Sequence, residues 1–521
     1  MKNDLSRREV LTALGALGLG AAMSGTAHAV EAEETAEIYG MDLSEARPFS
    51  PDLVMEKARA LSKSAYQPIP RISEEWSALN YDQFRGIWFD TRHSLWRGED
   101  SAAQIEFFPT GSTYVEPVVI NAVANGQMRE VQFHLRNFDT TDQFPKLSDE
   151  GNGFSGFRVL GEVEREGQFQ EYAVFQGASY FRAIARGQAY GISARGLALN
   201  TGSSQGEEFP IFREFWVEKP PRQGETVTVH ALLDSPSVSG AYRFVIDQGN
   251  QTVMDIEFTL FPRKTIDQVG IAPGTSMFLF DQTNRARFDD FRDAVHDSDG
   301  LLMMNGNGEL LWRPLNNPVG LGVSYFSDNG TRGFGLMQRS RGLDDFGDLH
   351  AHYERRPSLW VEPRGEWGPG HVILFEIPAD KEIYDNIVAF WRPEQPLEAG
   401  QEYSYAYRLH WCDDAPIEGD VARVIDTRTG KRIFQEGRLF TVDFAPHPGL
   451  GVDPAALTPR VWTNRGEITG AIVQTNPATG GMRLAFTLMA PEDVKQVELR
   501  AELLREDARV TEIWLNRWMA S

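Results

Sequence analysis

The chain has 521 residues, a formal net charge of −23 and one cysteine, Cys412. That length is too great for one ordinary core and predicts two or more domains. The acidic balance excludes nucleic acid and other polyanions as partners, and a lone thiol excludes an intramolecular disulfide and any cysteine-rich zinc or iron–sulfur site.

At the N-terminus "SRREVL" carries the pair Arg7 and Arg8, an uncharged segment follows over 10–23, and "AHA" ends at Ala29. This is the layout of a twin-arginine signal peptide over 1–29. The apolar segment is shorter than the roughly 20 residues that cross a bilayer as a helix, and its glycines at 15, 18 and 20 with no polar face argue against an amphipathic helix. Export to the periplasm without stable membrane insertion is therefore expected, the mature chain beginning near Val30.

"SPDLVMEKARALSKSAYQ" reads as the clearest helix, with Ser50 as N-cap, Pro51 at the first position and Val54, Ala58, Leu61 and Ala65 at helical spacing. Beyond it the period becomes two. "MREVQFHLRNF", "TVTVHALL" and "QEYSYAYRLHW" alternate as strands. "AYRFVIDQGNQTVMDIEFTLFP" predicts a hairpin turning at Asp247 to Gln251, and "VIDTRTGKRIF" another turning near Gly430. A short helix is expected at "FDDFRDAV". With 12 Trp, 14 Tyr, 32 Phe and 48 Gly, the chain fits an all-β class, mostly antiparallel. "CDDAPIEGD" marks a polar linker at 413–420; after it, residues 421–521 have the size of an immunoglobulin-like β-sandwich.

Candidate chemistry is sparse elsewhere. Ser155 in "GNGFSGF" lacks the Gly-x-Ser-x-Gly elbow. His350 and His352 in "HAH" would share one side of a strand, but no third ligand is suggested, so neither metal nor cofactor is expected. What remains is carboxylates beside aromatic and guanidinium groups: Asp297 and Asp299 in "VHDSDGLLM"; Tyr353, Glu354, Arg356, Trp360 and Glu362 in "HAHYERRPSLWVEP"; Glu382, Asp385 and Trp391 in "KEIYDNIVAFWRP". A sugar polymer needs this mixture, since pyranose faces stack on aromatic rings and hydroxyls pair with Asp, Glu and Arg. Glycosidic cleavage needs one protonated carboxyl and a second to activate water. Each residue also has a plain reading. Asp299 before Gly300 is turn chemistry, Asp297 could cap the helix, Asp385–Asn386 could be a strand-entry turn, Trp360 and Trp391 could be core, and Arg356 could be surface charge.

Together "GFSGFRV", "FQGASYFRA", "YGISARGLAL", "AVHDSDGLLM", "YERRPSLWVEP", "WGPGHVILFEIP" and "YDNIVAFWRP" resemble the bacterial periplasmic glucan biosynthesis family, which comprises proteins G and D of osmoregulated periplasmic glucan synthesis. The twin-arginine signal is similar to that of protein D. The resemblance implies a large galactose-mutarotase-like β-sandwich domain over 30–412, followed by the immunoglobulin-like one. It implies action on a β-1,2-linked glucose backbone, as an inverting endo-β-1,2-glucanase with Asp385 as general acid and Asp297 on the base side. Glu382 and Tyr353 would line the same cleft. The alternative is a non-catalytic glucan-binding or scaffold protein; an epimerase or a polysaccharide lyase would be further classes. The expected partners are β-glucan and other proteins of glucan synthesis, and nothing in the sequence selects an oligomer.

Overall fold

The computed structural model describes residues 40–139, 146–222, 226–417 and 419–520. The signal peptide expected over 1–29 lies outside the described residues. Among them no helix is long and apolar enough to cross a membrane. The contacts group the chain into two compact units: residues up to Pro273 together with Arg392–Trp411, and Gly274–Trp391 together with Cys412–Ser521.

In the first unit two sheets form a sandwich. One runs in the order Arg47–Pro48, Gln127–Glu130, Val119–Ala124, Ile211–Glu218, Thr226–Asp234, Val238–Asp247, Thr252–Pro262 and Tyr403–Cys412. All its pairs are antiparallel except Ile211–Glu218 with Val119–Ala124. The other runs Val269–Ser276, Ser193–Arg195, Tyr180–Ala183, Gln168–Gln176, Phe154–Arg165 and Gln104–Pro109. Inward residues at period two bring rings from both sheets together: Phe175 meets Phe215 at 5.9 Å and Phe244 at 5.3 Å, edge to face. The expected helix is present as Pro51–Ser62 with Ser50 at the N-cap, and Val54 and Ala58 pack on Trp216, Leu232 and Phe261. The hairpin Val238–Asp247 to Thr252–Pro262 turns where expected. "MREVQFHLRNF" does not stay extended: the strand ends at Glu130, and Leu135–Asn137 forms a 3₁₀ turn.

In the second unit one sheet has the order Ser358–Arg364, Gly333–Met337, Gly300–Met304, Leu310–Pro314, Ile513–Met519, Gln496–Arg505 and Thr458–Thr463. The four strands Val424–Lys431, Arg438–Phe444, Met482–Met489 and Glu467–Thr475 pack against it, and the unit also holds a three-stranded set, Gly322–Asp328, Gly370–Glu376 and Ile387–Pro393. The residues after the polar linker share a core with those before it: Val424, Phe440, Leu484 and Trp514 pack in one cluster with Leu302, Trp312 and Trp360. Arg339 crosses the same junction, lying 3.6 Å over Trp312 and gripping the buried Glu512 through both carboxylate oxygens. Gly300 is required where a Cβ would stand 2.1 Å from the Trp312 ring. Arg438–Phe444 pairs with Val424–Lys431 so that Gly430 faces Leu439 within the ladder, and the hairpin turns at 432–437 rather than near Gly430. Cys412, which forms no disulfide, is buried at the end of its strand.

Candidate functional site

The candidate carboxylates lie in the second unit, around the short hairpin Phe278–Phe280 to Val295–His296. The Asp297 N–H donates to Met277 O at 2.8 Å. The Asn386 carboxamide grips the next residue, accepting from Phe278 N–H at 2.8 Å and donating to Phe278 O at 2.9 Å. Its amide also donates to Ile377 O at 3.0 Å, closing the turn that leads into Ile387–Pro393. Neighbouring residues 277 and 278 thus hold Asp297 and the Asp385–Asn386 turn. Both aspartates are buried, with 4% and 5% of their surface exposed. The turn reading and the site reading of "YDN" are therefore both present, divided between Asn386 and Asp385.

Beneath this hairpin His296 stacks on Phe278 at 5.4 Å, and its Nδ1 lies 2.8 Å from Gln338 Oε1. The Gln338 amide donates to His296 O and to Tyr353 O, which ties the 3₁₀ turn Tyr353–Arg355 to the hairpin.

Arg356 forms a buried ion pair with Asp297 Oδ1. Its guanidinium lies 4.2 Å over the Tyr353 ring and donates to Ala351 O through Nη2 at 3.1 Å. Burial is the largest single influence and works to lower its pKa, but the charge and hydrogen bond of Asp297, with Tyr353 and Glu382, together raise it. The Tyr353 hydroxyl donates to Glu382 Oε2 at 3.0 Å. Burial above all pushes that phenol far beyond its usual range, so it stays a donor.

Glu382 in turn receives Arg292 Nη1 at 2.7 Å. The same nitrogen lies 3.0 Å from Asp348 Oδ2, and Arg292 Nη2 lies 2.8 Å from Asp290 Oδ2. Asp348 Oδ1 accepts the N–H groups of His350 and Ala351 at 2.7 and 3.0 Å. The circuit closes, because Ala351 O holds Arg356. Six residues, Arg356, Ala351, Asp348, Arg292, Glu382 and Tyr353, form one ring of hydrogen bonds and ion pairs closed by the Arg356–Tyr353 ring contact, and Asp297 hangs from it through Arg356.

Several expectations need correction. Trp360 and Trp391, candidates for sugar stacking, are 1% and 0% exposed. Trp360 fills the space left by Gly333 and Gly335, and Trp391 faces Trp367 at 6.4 Å. Neither presents a ring face to a polymer; both are core residues. "FDDFRDAV" is not a helix. Asp290 Oδ1 accepts the Arg292 N–H at 3.0 Å, and Arg285 bonds the carbonyls of Asp290 and Arg292, so side chains satisfy the backbone in place of helical bonds. Asp297 therefore caps no helix. His350 and His352 sit in a turn, with His352 Nδ1 3.2 Å from Glu354 Oε1. Among the described residues no group of three or more His, Cys, Asp or Glu is arranged to hold a metal ion. Asp299 makes a long-range structural contact in place of the expected local turn: its Oδ2 accepts the N–H groups of Arg339 and Ser340 at 2.9 and 3.0 Å.

Sequence reasoning missed Arg292, Asp290, Asp348 and Gln338. Arg292 and Asp348 are 56 residues apart, and neither lies in a pattern that announces the other.

The family model described as periplasmic glucan biosynthesis protein, MdoG, matches residues 49–518. The chain belongs to the periplasmic glucan biosynthesis protein family. Relatives in this family include "Glucans biosynthesis protein G" of Bradyrhizobium diazoefficiens, 46% identical over 90% of this chain and 93% of that protein. The protein of the same name from Rhodopseudomonas palustris is 44% identical over 99% of this chain and 100% of the relative. That of Vibrio cholerae serotype O1 is 46% identical over 90% and 87%. All three carry the name of protein G, so the likeness of the signal segment to protein D has no counterpart among them.

Proposed function

We propose that this protein works in the periplasm on osmoregulated periplasmic glucans, binding a β-1,2-linked glucose backbone and hydrolysing it with inversion. In this reading Asp385 is the general acid, Asp297 is the base-side residue, and Tyr353 and Glu382 position the nucleophilic water or the sugar hydroxyls. The observation that carries the reading is that adjacent residues 277 and 278 hold the buried Asp297 and, through Asn386, the turn that carries the buried Asp385, beside a phenol held as a donor. Membership of the family supplies the glucan pathway. The reaction needs no metal or cofactor: the acid protonates the leaving glycosidic oxygen, while water deprotonated on the base side attacks the anomeric carbon from the opposite face.

One observation favours a second reading. Asp297 is already paired to a buried guanidinium that occupies one of its carboxylate oxygens, which suits a protein that orients glucan without cutting it. Export by the twin-arginine route and closeness to protein D belong to the same proposal, resting on Arg7, Arg8 and the apolar segment after them.

The test is incubation of the mature protein with linear β-1,2-glucan, wild type beside Asp385→Asn. Shortened chains with an α-anomeric reducing end from wild type are expected, with turnover lowered about 10²–10⁴-fold in the variant and glucan binding retained. Equal hydrolysis by both proteins would remove Asp385 from the chemistry. No hydrolysis by either, with binding intact, would leave the scaffold reading.

A further inference from the structure

The first unit holds a cavity of about 270 Å³ that the carboxylate site does not use. Its inner wall is made of Phe175, Tyr180, Phe212 and Phe215, all at most 3% exposed, so it is a true interior surface. Phe209, Tyr114, Val115, Val118 and Ile211 continue the wall outward, and Arg71 and Glu116 stand at the rim.

Backbone strain sets this space apart from a packing fault: Gly177 and Ala178 are consecutive left-handed residues at φ 78° and 44°, and for alanine that conformation is unfavourable. The strained Ala178 holds the opposite wall, since its carbonyl accepts the Phe212 N–H at 3.0 Å.

The lining selects the occupant. Two of the polar side chains in the lining are committed to each other: Ser155 Oγ donates to Pro109 O at 2.8 Å and receives Gln176 Nε2 at 2.9 Å. A pyranose would bring in a hydroxyl on nearly every carbon and leave most of them unpaired, which is costly in an apolar interior. An aromatic body has no such cost, and its edges and faces match rings that prefer tilted or edge-to-face contact. A cavity of roughly 150 Å³ takes benzene, so 270 Å³ suits two fused rings. At the rim the Arg71 charge acts on Glu116, whose pKa burial raises. Together they offer both signs of charge to a polar head.

We infer that this cavity is a binding site for a small amphipathic molecule with a bicyclic aromatic body and a polar head, separate from the glucan chemistry. The body enters between Phe175, Tyr180 and Phe212; the head stays between Arg71 and Glu116.

The test uses the mature protein and the fluorescent probe N-phenyl-1-naphthylamine. A saturable rise in emission with one site per chain is expected, reversed by 1-naphthylmethylamine and 1-naphthylmethanol but not by glucose or a β-1,2-linked glucose disaccharide. Ile211→Trp and Val115→Phe fill the space from two sides and should weaken probe binding at least about tenfold. Each is checked for an unchanged melting temperature, so that one folded variant suffices. Glu116→Gln should abolish any preference for the amine over the alcohol. Absence of a saturable signal, retention of full affinity in a folded filled variant, or displacement by the sugars as effective as by the naphthyl compounds would each overturn the inference. The last result would make the cavity a glucan subsite.

Discussion

Arg356 holds the most consequential charge in the second unit, because it compensates the buried Asp297 carboxylate and caps the Tyr353 ring. Removing one partner of a buried pair strands the other, so Arg356→Met should lose about 3–5 kcal/mol of stability in urea unfolding. The double variant Arg356→Met with Asp297→Asn should recover part of that loss, since the uncompensated charge is gone. If the two losses simply added, the pair would carry no coupling and the ring of contacts would be incidental. Tyr353 acts at the same scale by a different means. Burial keeps its hydroxyl protonated, so it donates to Glu382 across the whole working pH range, and Tyr353→Phe should alter substrate positioning without adding a titration to the rate profile. That outcome is read from the pH dependence of kcat/KM beside wild type. The residue types at this site were readable from the sequence; which aspartate met which arginine was not. A guanidinium that serves a carboxylate 59 positions away leaves no local pattern.

The loop from Arg285 to Asp293 shows how an element can be misread from its period. "FDDFRDAV" has helical spacing, yet the side chains of Asp290 and Arg285 bond the backbone, and the chain bends instead. The element thereby places Arg292 between Asp290, Asp348 and Glu382. The hydrogen bond to Arg292 holds the Asp290 carboxyl below its usual range. At Asp348 burial opposes the shift, but the N–H groups of Ala351 and His350 and the Arg292 charge still lower it. Because both folded values are depressed, the stability they confer is complete above the unfolded carboxylate value of about 3.9 and is lost as pH falls through the lower folded ones. Arg292→Gln should cost about 2–3 kcal/mol near neutrality, less than a fully enclosed pair because Glu382 and Asp290 partly reach solvent. The gap in melting temperature between wild type and variant should be full at pH 6 and close as pH drops below about 4. A gap independent of pH would mean that Arg292 stabilises by packing alone. The strands and the one long helix were readable because burial on one face imposes a strict period. Trp360 and Trp391 were misassigned to a cleft because a strand tryptophan has the same local sequence whether its ring faces core or solvent.

At the scale of the molecule, the all-β sandwich architecture follows from alternation and turn residues, and the family motifs are spread along both units. The grouping of residues was harder to read. A polar stretch such as 413–420 looks like a break, but Val424, Phe440 and Trp514 beyond it bury themselves against Leu302 and Trp312 before it. A linker is visible in composition, whereas a shared core depends on contacts across hundreds of positions. At this scale Cys412 has a practical meaning. It closes the strand Tyr403–Cys412, it is the chain's one thiol, and burial above all pushes its pKa up to about 12. In the closed protein it is neither thiolate nor reachable, so a thiol reagent can enter only when that strand lets go. The native protein should resist Ellman's reagent for hours and release one equivalent at once in denaturant, and Arg356→Met should react faster in proportion to its loss of stability. Rapid reaction of the native protein would mean that the strand end opens by itself. The lone cysteine thus makes the wild-type chain its own clock for unfolding, with no engineered label.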